Sequence, residues 1–271
     1  MPYSESMRRR VLFVGATLAT LIALAGCQLF IDASRLDIEA EATDPSLEGG
    51  DGARDGAADG AADGADAADP DLVGYWSFDE GTGPVAHDTS GRGNDGALGA
   101  GTSWAAGKVR GALSFDGKTG VVIVPKSPSL VIRSSLTIAM WIRFGASAAS
   151  DMRLLSKGSA YDVKLNVRAP QLSAPAGENA QFEFSVPPEE WHHIAMTFAS
   201  GEVKLYVDGI SRTPKSNTFP KNAPLAEGGD LFIGAFNGRG ENSASGLLDE
   251  VRLYSRVLEV AEIRALAAPP P

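Results

Sequence analysis

Three pairs of neighbouring acidic residues are the first places in this sequence where chemistry could occur: Asp79-Glu80, Glu189-Glu190 and Asp249-Glu250. Hydrolysis of a glycosidic bond normally needs two carboxyl groups that face each other across the sugar, one acting as an acid and the other as a base or nucleophile. Neighbouring residues of a β-strand point to opposite faces of the sheet. None of the three pairs therefore predicts a catalytic pair of carboxyl groups.

Other groups that often carry catalysis give no better candidate. The histidines, His87, His192 and His193, do not have the HExxH spacing of a metalloprotease, and no glycine-rich loop precedes Lys-Ser or Lys-Thr. Both His192 and His193 lie in an apolar run, where a packed histidine is the simpler interpretation. We therefore expect a protein that is not an enzyme.

Two of the acids share the side of a strand with large apolar residues. Glu80 alternates with Trp76 and Phe78, and Asp249 belongs to the set Leu247, Val251 and Leu253. A carboxylate that is turned toward a core is costly unless it is hydrogen-bonded, paired with a base or bound to a metal. Both carboxylates could be satisfied by Arg110, Arg252 or backbone N–H groups. The alternative is a metal ion, for which Asp88 at the start of the DTSG turn would be a third oxygen donor.

An acidic repeat lies N-terminal to these residues. Its aspartates, Asp51, Asp55, Asp59 and Asp63, are four residues apart, and each is followed by glycine. Calcium loops place their acids at alternate positions with a closing glutamate, a pattern that is missing here. A helix is also disfavoured, because glycine costs about 1 kcal/mol per repeat and like charges four residues apart repel. We expect residues 27–71 to form a disordered, acidic, Asp/Gly/Ala-rich tether, with a metal or partner role as the alternative.

The N-terminus predicts export. Three arginines, Arg8 to Arg10, precede the apolar run VLFVGATLATLIALA, which is short for a membrane span and typical of a secretory signal peptide. The run ends in Leu24-Ala25-Gly26-Cys27, which resembles the lipobox of bacterial lipoproteins. This resemblance implies a signal peptide at residues 1–26 and lipidation of Cys27, the single cysteine. Acyl chains would anchor the protein to the cell envelope, with the outer membrane favoured because Gln28, and not an aspartate, follows.

The net charge of −10 is concentrated in the tether. Residues 28–71 hold 13 acidic and 2 basic residues, so the rest of the chain is nearly neutral. Basic clusters with interleaved aromatic residues are absent from that part of the sequence, which argues against a nucleic-acid partner.

From Leu72 onward, short alternating apolar runs are separated by Gly, Asn, Asp and Pro, which predicts an all-β domain over residues 72–271. About 200 residues of this kind suit one sandwich of two sheets. Asp208-Gly209, between EVKLYV and ISR, predicts a type I′ hairpin turn. The run VLEVAEIRAL near the end predicts a short helix that places Val257, Val260, Ile263 and Leu266 on one side.

Seven segments of this domain resemble, in order, the LamG-like jelly-roll domains of the concanavalin A-like lectin/glucanase superfamily. They are YWSFDEGTG, DTSGRGNDG, GKVRGALSFDG, SLTIAMWIRF, EWHHIAMTF, KLYVDG and GLLDEVRLYSRVL, and the resemblance covers residues 72–266. It implies an antiparallel two-sheet jelly roll in which the first strand lies beside the last.

The resemblance also carries expectations about function. The family includes sugar-binding, protein-binding and adhesive modules, and the glucanase relatives carry Glu-x-Asp-x-x-Glu on one strand, a triplet that this sequence lacks. Many LamG-like domains bind calcium, so Glu80, Asp88 and Asp249 become candidate ligands of a structural calcium ion.

A ligand would bind on one sheet face or at the rim loops, where exposed aromatics stack on sugars and polar side chains hold hydroxyl groups. The loop FNGRGENSASG offers Phe236, Asn237, Arg239 and Asn242 as candidates. We expect a surface-exposed, non-catalytic binding or adhesion module of a lipoprotein, with glycan as its ligand. The alternatives are a module that binds an envelope or extracellular protein or has a structural role in the envelope, and a divergent polysaccharide hydrolase or lyase.

Overall fold

The computed structural model describes residues 69–268, apart from residues 147, 149–150, 159, 167–168, 174–176 and 223. The predicted signal peptide, Cys27 and the tether up to residue 68 lie outside the described residues. Residues 69–71, the last three of the predicted tether, lie against the domain, where Asp69 pairs with Arg256 at 2.6 Å. No helix in the described part of the chain is long and apolar enough to cross a membrane.

Strands make up almost all of the regular structure, as the alternating apolar pattern predicts. They are β1 Leu72–Trp76, β2 Val85–Ala86, β3 Gly96–Leu98, β4 Thr102–Val109, β5 Gly111–Asp116, β6 Val122–Val124, β7 Ser135–Phe144, β8 Asp151–Ser156, β9 Asp162–Asn166, β10 Ala169–Ser173, β11 Asn179–Phe182, β12 His192–Ala199, β13 Glu202–Val207, β14 Ile210–Arg212, β15 Pro214–Asn217, β16 Leu231–Ile233 and β17 Ser245–Tyr254. A short helix, α1, spans Val260–Leu266.

In the described residues these strands form two antiparallel sheets. The eight-stranded sheet has the order β14-β13-β12-β7-β17-β5-β4, and β1 also pairs with β17. The nine-stranded sheet has the order β15-β11-β10-β9-β8-β16-β6-β3-β2. The predicted all-β sandwich is confirmed, as is the expectation that the first strand lies beside the last.

The core lies between the two sheets and follows from alternation along each strand. In β7, the residues Leu136, Ile138, Met140, Ile142 and Phe144 enter the core, and those between them face away. The same alternation in β9, β10 and β11 leaves polar side chains on the outer face of the nine-stranded sheet. The candidate functional site described below lies on this outer face.

The predicted hairpin and helix are both present. Asp208 and Gly209 have φ angles of 51° and 72° and join β13 to β14, as a type I′ turn requires. Helix α1 begins with a capping box between Glu259 and Glu262. It buries Ile263 against the eight-stranded sheet, whereas Val257 and Val260 remain exposed, so its apolar side is narrower than the sequence pattern indicated.

A β-bulge in β17 corrects the predicted side-chain parity. Leu248, not Leu247, packs in the core, and the register shifts between Asp249 and Arg252, where Glu250 has a φ of 55°. After the shift, Val251 and Leu253 return to the core as expected. On one side of β17, the pairing partner changes at the bulge. Strand β5 pairs with the first half of β17, and β1 pairs with the second half.

Candidate functional site

The outer face of the nine-stranded sheet carries a continuous row of polar side chains. The row runs across five strands, from Arg153 through Lys164, Gln171 and Gln181 to Ser216, and each residue lies directly opposite the next. Residues that alternate with them along β9 to β11 belong to the core, so the row faces outward. We call these five residues the polar row.

A groove of about 410 Å³ lies at one end of the polar row. Its walls include the carboxamide side chains of Asn166, Gln171 and Gln181, together with Phe182 and Phe184. None of the three carboxamides forms a side-chain hydrogen bond within the described residues, and Gln171 is only 6% exposed. Carboxamides both donate and accept hydrogen bonds, and those of the exposed Asn166 and Gln181 can bind a partner directly. This carboxamide groove is therefore suited to a small polar molecule or a chain of hydroxyl groups.

The charges at the groove are paired within the protein. Lys215 and Glu183, which both line the groove, form an ion pair at 2.5 Å. The groove thus presents uncharged hydrogen-bonding groups, flanked by an ion pair at its edge.

At the other end of the polar row, Arg153 lies between two carboxylates and an aromatic ring. Its Nη1 is 2.7 Å from Asp151 and its Nε is 3.4 Å from Asp162. The guanidinium carbon lies 5.3 Å from the centre of the Phe236 ring. Phe236 is 38% exposed, so it forms an apolar platform beside the row.

The structure brings two of the four predicted ligand-binding residues to the polar row. They are Phe236 and Asn242, whose backbone oxygen accepts a hydrogen bond from the Arg153 N–H at 2.9 Å. Asn237 instead shapes its own loop, since its Oδ1 accepts a hydrogen bond from the N–H of Arg239 at 3.0 Å. The Arg239 side chain makes no hydrogen bond or ion pair with the part of the chain that the structure describes.

The three predicted calcium ligands have separate backbone partners. Asp88 accepts hydrogen bonds from the N–H groups of Tyr75, Ser90 and Asn94, and Glu80 accepts one from His87. Among the described residues, no group of three or more His, Cys, Asp or Glu side chains could hold a metal ion. Glu80, Asp88 and Asp249 therefore do not form a shared donor set here, and structural calcium stays a prediction.

Asp249 is fully buried, with 0% of its surface exposed, at the bulge that divides the partners of β17. Its Oδ2 accepts hydrogen bonds from the N–H groups of Lys108 and Val109 at 2.7 and 2.9 Å, while its buried Oδ1 has no hydrogen-bond partner in the described residues. Burial is the main cause that raises the pKa of Asp249 to about 7, and the neighbouring charges of Glu250 and Asp79 add to it against the two N–H groups.

The outer face of the eight-stranded sheet is largely covered by its own side chains and by α1. Trp141 and His193 meet edge to face at 5.4 Å, and the Lys108 ammonium lies 4.9 Å from the centre of the Trp141 ring. Burial, with a smaller effect of Arg252, lowers the pKa of His193 to about 3, so this histidine is neutral and packed. The nine-stranded sheet therefore offers the more open face.

Sequence reasoning missed the carboxamide groove. The signal was present in YDVKLNV, APQLS and NAQFEF, in which polar residues alternate with core residues. However, only the strand pairing shows that Gln171 lies opposite both Lys164 and Gln181. No local pattern in the sequence supplies that register.

Comparison with known protein families gives one match. A laminin G family model, described as the concanavalin A-like lectin/glucanases superfamily, matches residues 116–264, just over half of the 271-residue chain. A search for similar sequences among curated proteins found no match.

Three solved structures are similar to this chain in fold. Domain 4 of AbnA, a GH43 extracellular arabinanase from Geobacillus stearothermophilus in complex with arabinotriose, has a TM-score of 0.60 and 18% identity over 73% of this chain and 98% of that domain. The binding domain of Paraclostridial Mosquitocidal Protein 1 has a TM-score of 0.57 and 18% identity over 73% of this chain and 52% of that one. Trypanosoma rangeli sialidase in complex with sialic acid has a TM-score of 0.56 and 22% identity over 73% of this chain and 32% of that one.

Proposed function

The chain belongs to the concanavalin A-like lectin/glucanases superfamily, and on that premise we propose that it is a non-catalytic module that binds glycan in the carboxamide groove. The observation that carries the proposal is the convergence of Asn166, Gln171 and Gln181 on one groove, where their side chains have no hydrogen-bond partner among the described residues. Glycan hydroxyl groups both donate and accept hydrogen bonds, so they complement carboxamides. Arabinotriose in the structure of AbnA domain 4 is consistent with a sugar ligand for this fold.

The same groove favours binding over catalysis. Glycoside hydrolysis normally uses two carboxyl groups on either side of the bond. Among the described residues that line the groove, Glu183 is the one carboxylate, and Lys215 holds it in an ion pair. The nearby carboxylates Asp151 and Asp162 share Arg153. The described lining of the groove therefore lacks the pair of carboxyl groups that glycoside hydrolysis uses.

The cellular setting is part of the proposal. The signal peptide and lipobox resemblance support an exported lipoprotein whose Cys27 carries the anchor, in the bacterial cell envelope and preferentially in the outer membrane. The acidic tether would then separate the binding domain from the membrane. Labelling of Cys27 by a fatty-acid analogue, lost in a Cys27→Ser variant, tests this setting separately from glycan binding.

Removal of the two central carboxamides should weaken glycan binding. We expect a glycan array probed with the full chain to give specific signals, and the Gln171→Met/Gln181→Met variant to bind at least about tenfold more weakly, because methionine keeps the volume and removes the hydrogen bonds. Lys204→Met is the matched control, since Lys204 is exposed on β13 of the other sheet.

Three readouts judge the proposal. Affinity for an array hit should fall in the double variant and stay unchanged in Lys204→Met, with equal melting temperatures. A complete lack of array signals, with an envelope protein recovered in pull-downs, would favour the adhesion alternative. Release of new reducing or unsaturated sugar ends would show that the module is an enzyme.

A further inference from the structure

We infer that the site binds an internal stretch of a linear, uncharged polysaccharide, which crosses the strands along the polar row from the carboxamide groove to Phe236. This inference rests on the proposed function and adds the class of glycan, its direction and its length.

The direction follows from the strand pairing. Each member of the polar row lies directly opposite the next, so the row is perpendicular to the strands. Neighbouring strands lie about 4.8 Å apart, so the row from Arg153 to Ser216 is roughly 19 Å long. One monosaccharide cannot contact both ends of such a row. A chain of several sugars can, and it would continue beyond the row at either end.

The two ends of the row supply different contacts. At one end, Gln171 and Gln181 offer unpaired carboxamides to hydroxyl groups. At the other end, the exposed ring of Phe236 offers an apolar surface on which the face of a sugar ring can pack. Arg153, which is paired with Asp151 and Asp162, lies between the rest of the row and this ring.

The charge of the face favours an uncharged chain. Three basic residues along the row and the groove, Arg153, Lys164 and Lys215, are matched in number by three acidic ones, Asp151, Asp162 and Glu183. Three ion pairs join them, because Arg153 is paired with both aspartates and Lys215 with Glu183. A polyanion would meet these carboxylates along the row, whereas hydroxyl groups meet no repulsion.

Lys164 is the one residue of the polar row whose charge would favour a negatively charged polysaccharide. It makes no ion pair with the described residues, and it lies between Arg153 and Gln171 in the row. Its ammonium group can donate three hydrogen bonds to hydroxyl oxygens, so an uncharged chain satisfies it as well. The experiment is therefore designed to separate the two classes at this position.

Titration calorimetry with the full chain tests the inference. The uncharged probes are arabino-, xylo-, manno- and cello-oligosaccharides and fully methyl-esterified oligogalacturonates, from disaccharide to hexasaccharide. The charged probes are the unesterified oligogalacturonates of the same lengths, which differ from their esters in charge. We expect at least one uncharged series to bind, with affinity rising about tenfold between the disaccharide and the tetrasaccharide or pentasaccharide and then levelling off.

Two variants report on the direction of the chain. Gln181→Met should weaken binding of every length, because the carboxamide groove holds even a short oligosaccharide. Phe236→Ala should weaken only the longer members of the series, because Arg153, which lies against Phe236, is three strand spacings, roughly 14 Å, from Gln181. Lys204→Met, on the other sheet, should leave the affinity for every length unchanged.

Several outcomes would overturn the inference. Tighter binding of the charged series with loss in Lys164→Gln would identify an acidic glycan instead. Full affinity with the disaccharide, or equal losses in Phe236→Ala at all lengths, would show that no chain crosses the row. These outcomes leave the proposed function intact, whereas no binding of any probe, with no signals on the glycan array, would remove both.

Discussion

The Asp249→Asn variant is expected to gain stability relative to the wild type as the pH rises from 4.5 to 8, by about 3 kcal/mol in the free energy of unfolding. Burial raises the pKa of Asp249 from an ordinary value of 3.8 to about 7 in the folded protein. Between these two values the folded state holds a proton that the unfolded state has lost. Folding is therefore favoured at low pH, and this contribution is lost as the pH rises through 7.

Asparagine at position 249 cannot ionise, and it keeps an oxygen that accepts hydrogen bonds. Its side-chain oxygen can accept both N–H groups that Asp249 Oδ2 accepts, those of Lys108 and Val109. The amide NH₂ replaces Oδ1, which has no partner in the described residues, so the variant carries a fixed penalty of about 1 to 3 kcal/mol. That penalty does not depend on pH. The change between pH 4.5 and pH 8 therefore isolates the ionisation of Asp249.

Urea unfolding of both proteins across this pH range measures the effect. Asp116→Asn, measured with the series extended down to about pH 2, is the control of opposite sign: although burial opposes it, the N–H groups of Thr119, Lys118 and Gly120 lower the pKa of Asp116 to about 2. Its stabilisation is present above an unfolded pKa near 4 and is lost as the pH falls toward 2. A constant difference between wild type and Asp249→Asn at all pH values would contradict the raised pKa.

Thermal unfolding tests the calcium prediction at the same residue. If calcium binds the Asp249 carboxylate, excess calcium at pH 8 will raise the melting temperature above that in EDTA, and the increase will be lost in Asp249→Ala. Equal melting curves in calcium and EDTA would contradict the prediction, and they would leave the proton as the group that compensates the buried carboxylate.

Most of the fold could be predicted from the sequence because its signals are local. Alternation along a strand, the Asp208-Gly209 turn and the terminal helical pattern each depend on a few neighbouring residues. The family resemblance implied two antiparallel sheets with the first strand beside the last, as the pairing of β1 with β17 confirms. The parity of Leu247 and Asp249 could not be predicted, because the bulge beside Glu250 shifts the register by contacts with strands that are distant in the sequence.

The site could be predicted only in part for the same reason. Phe236 and Asn242, which the structure places beside the polar row, could be proposed because an exposed loop with an aromatic and polar side chains is a local signal. Gln171 and Gln181 each look like ordinary outward residues of a strand. Their importance comes from lying opposite each other in a groove without partners, which depends on the pairing of β10 with β11.

Trp76→Ala is expected to destabilise the domain by about 4 kcal/mol. Trp76 has no exposed surface and is among the largest buried side chains. Its Nε1 donates a hydrogen bond to the backbone oxygen of Asn94 at 2.9 Å, and the Asn94 side chain donates in turn to the Val73 oxygen at 2.7 Å. Alanine would leave a large cavity in the core and a buried oxygen without its partner.

Two further variants separate these contributions. Trp76→Phe keeps most of the ring and loses the hydrogen bond, so it should cost about 1 to 3 kcal/mol and remain folded. Trp104→Ala removes the same side chain from a partly exposed position, where its Nε1 bonds the Gly83 oxygen at 3.0 Å, and should cost less than Trp76→Ala.

The order of the three variants in urea unfolding is the decisive result, because β1 pairs with β17 through Trp76 and Val251 and closes the first strand onto the last. If the Trp76 side chain anchors that closure, Trp76→Ala will be the least stable of the three. An equal cost for Trp76→Ala and Trp104→Ala would contradict the prediction, because it would show that full burial of the Trp76 ring adds nothing and that the strand pairing alone holds β1 in place.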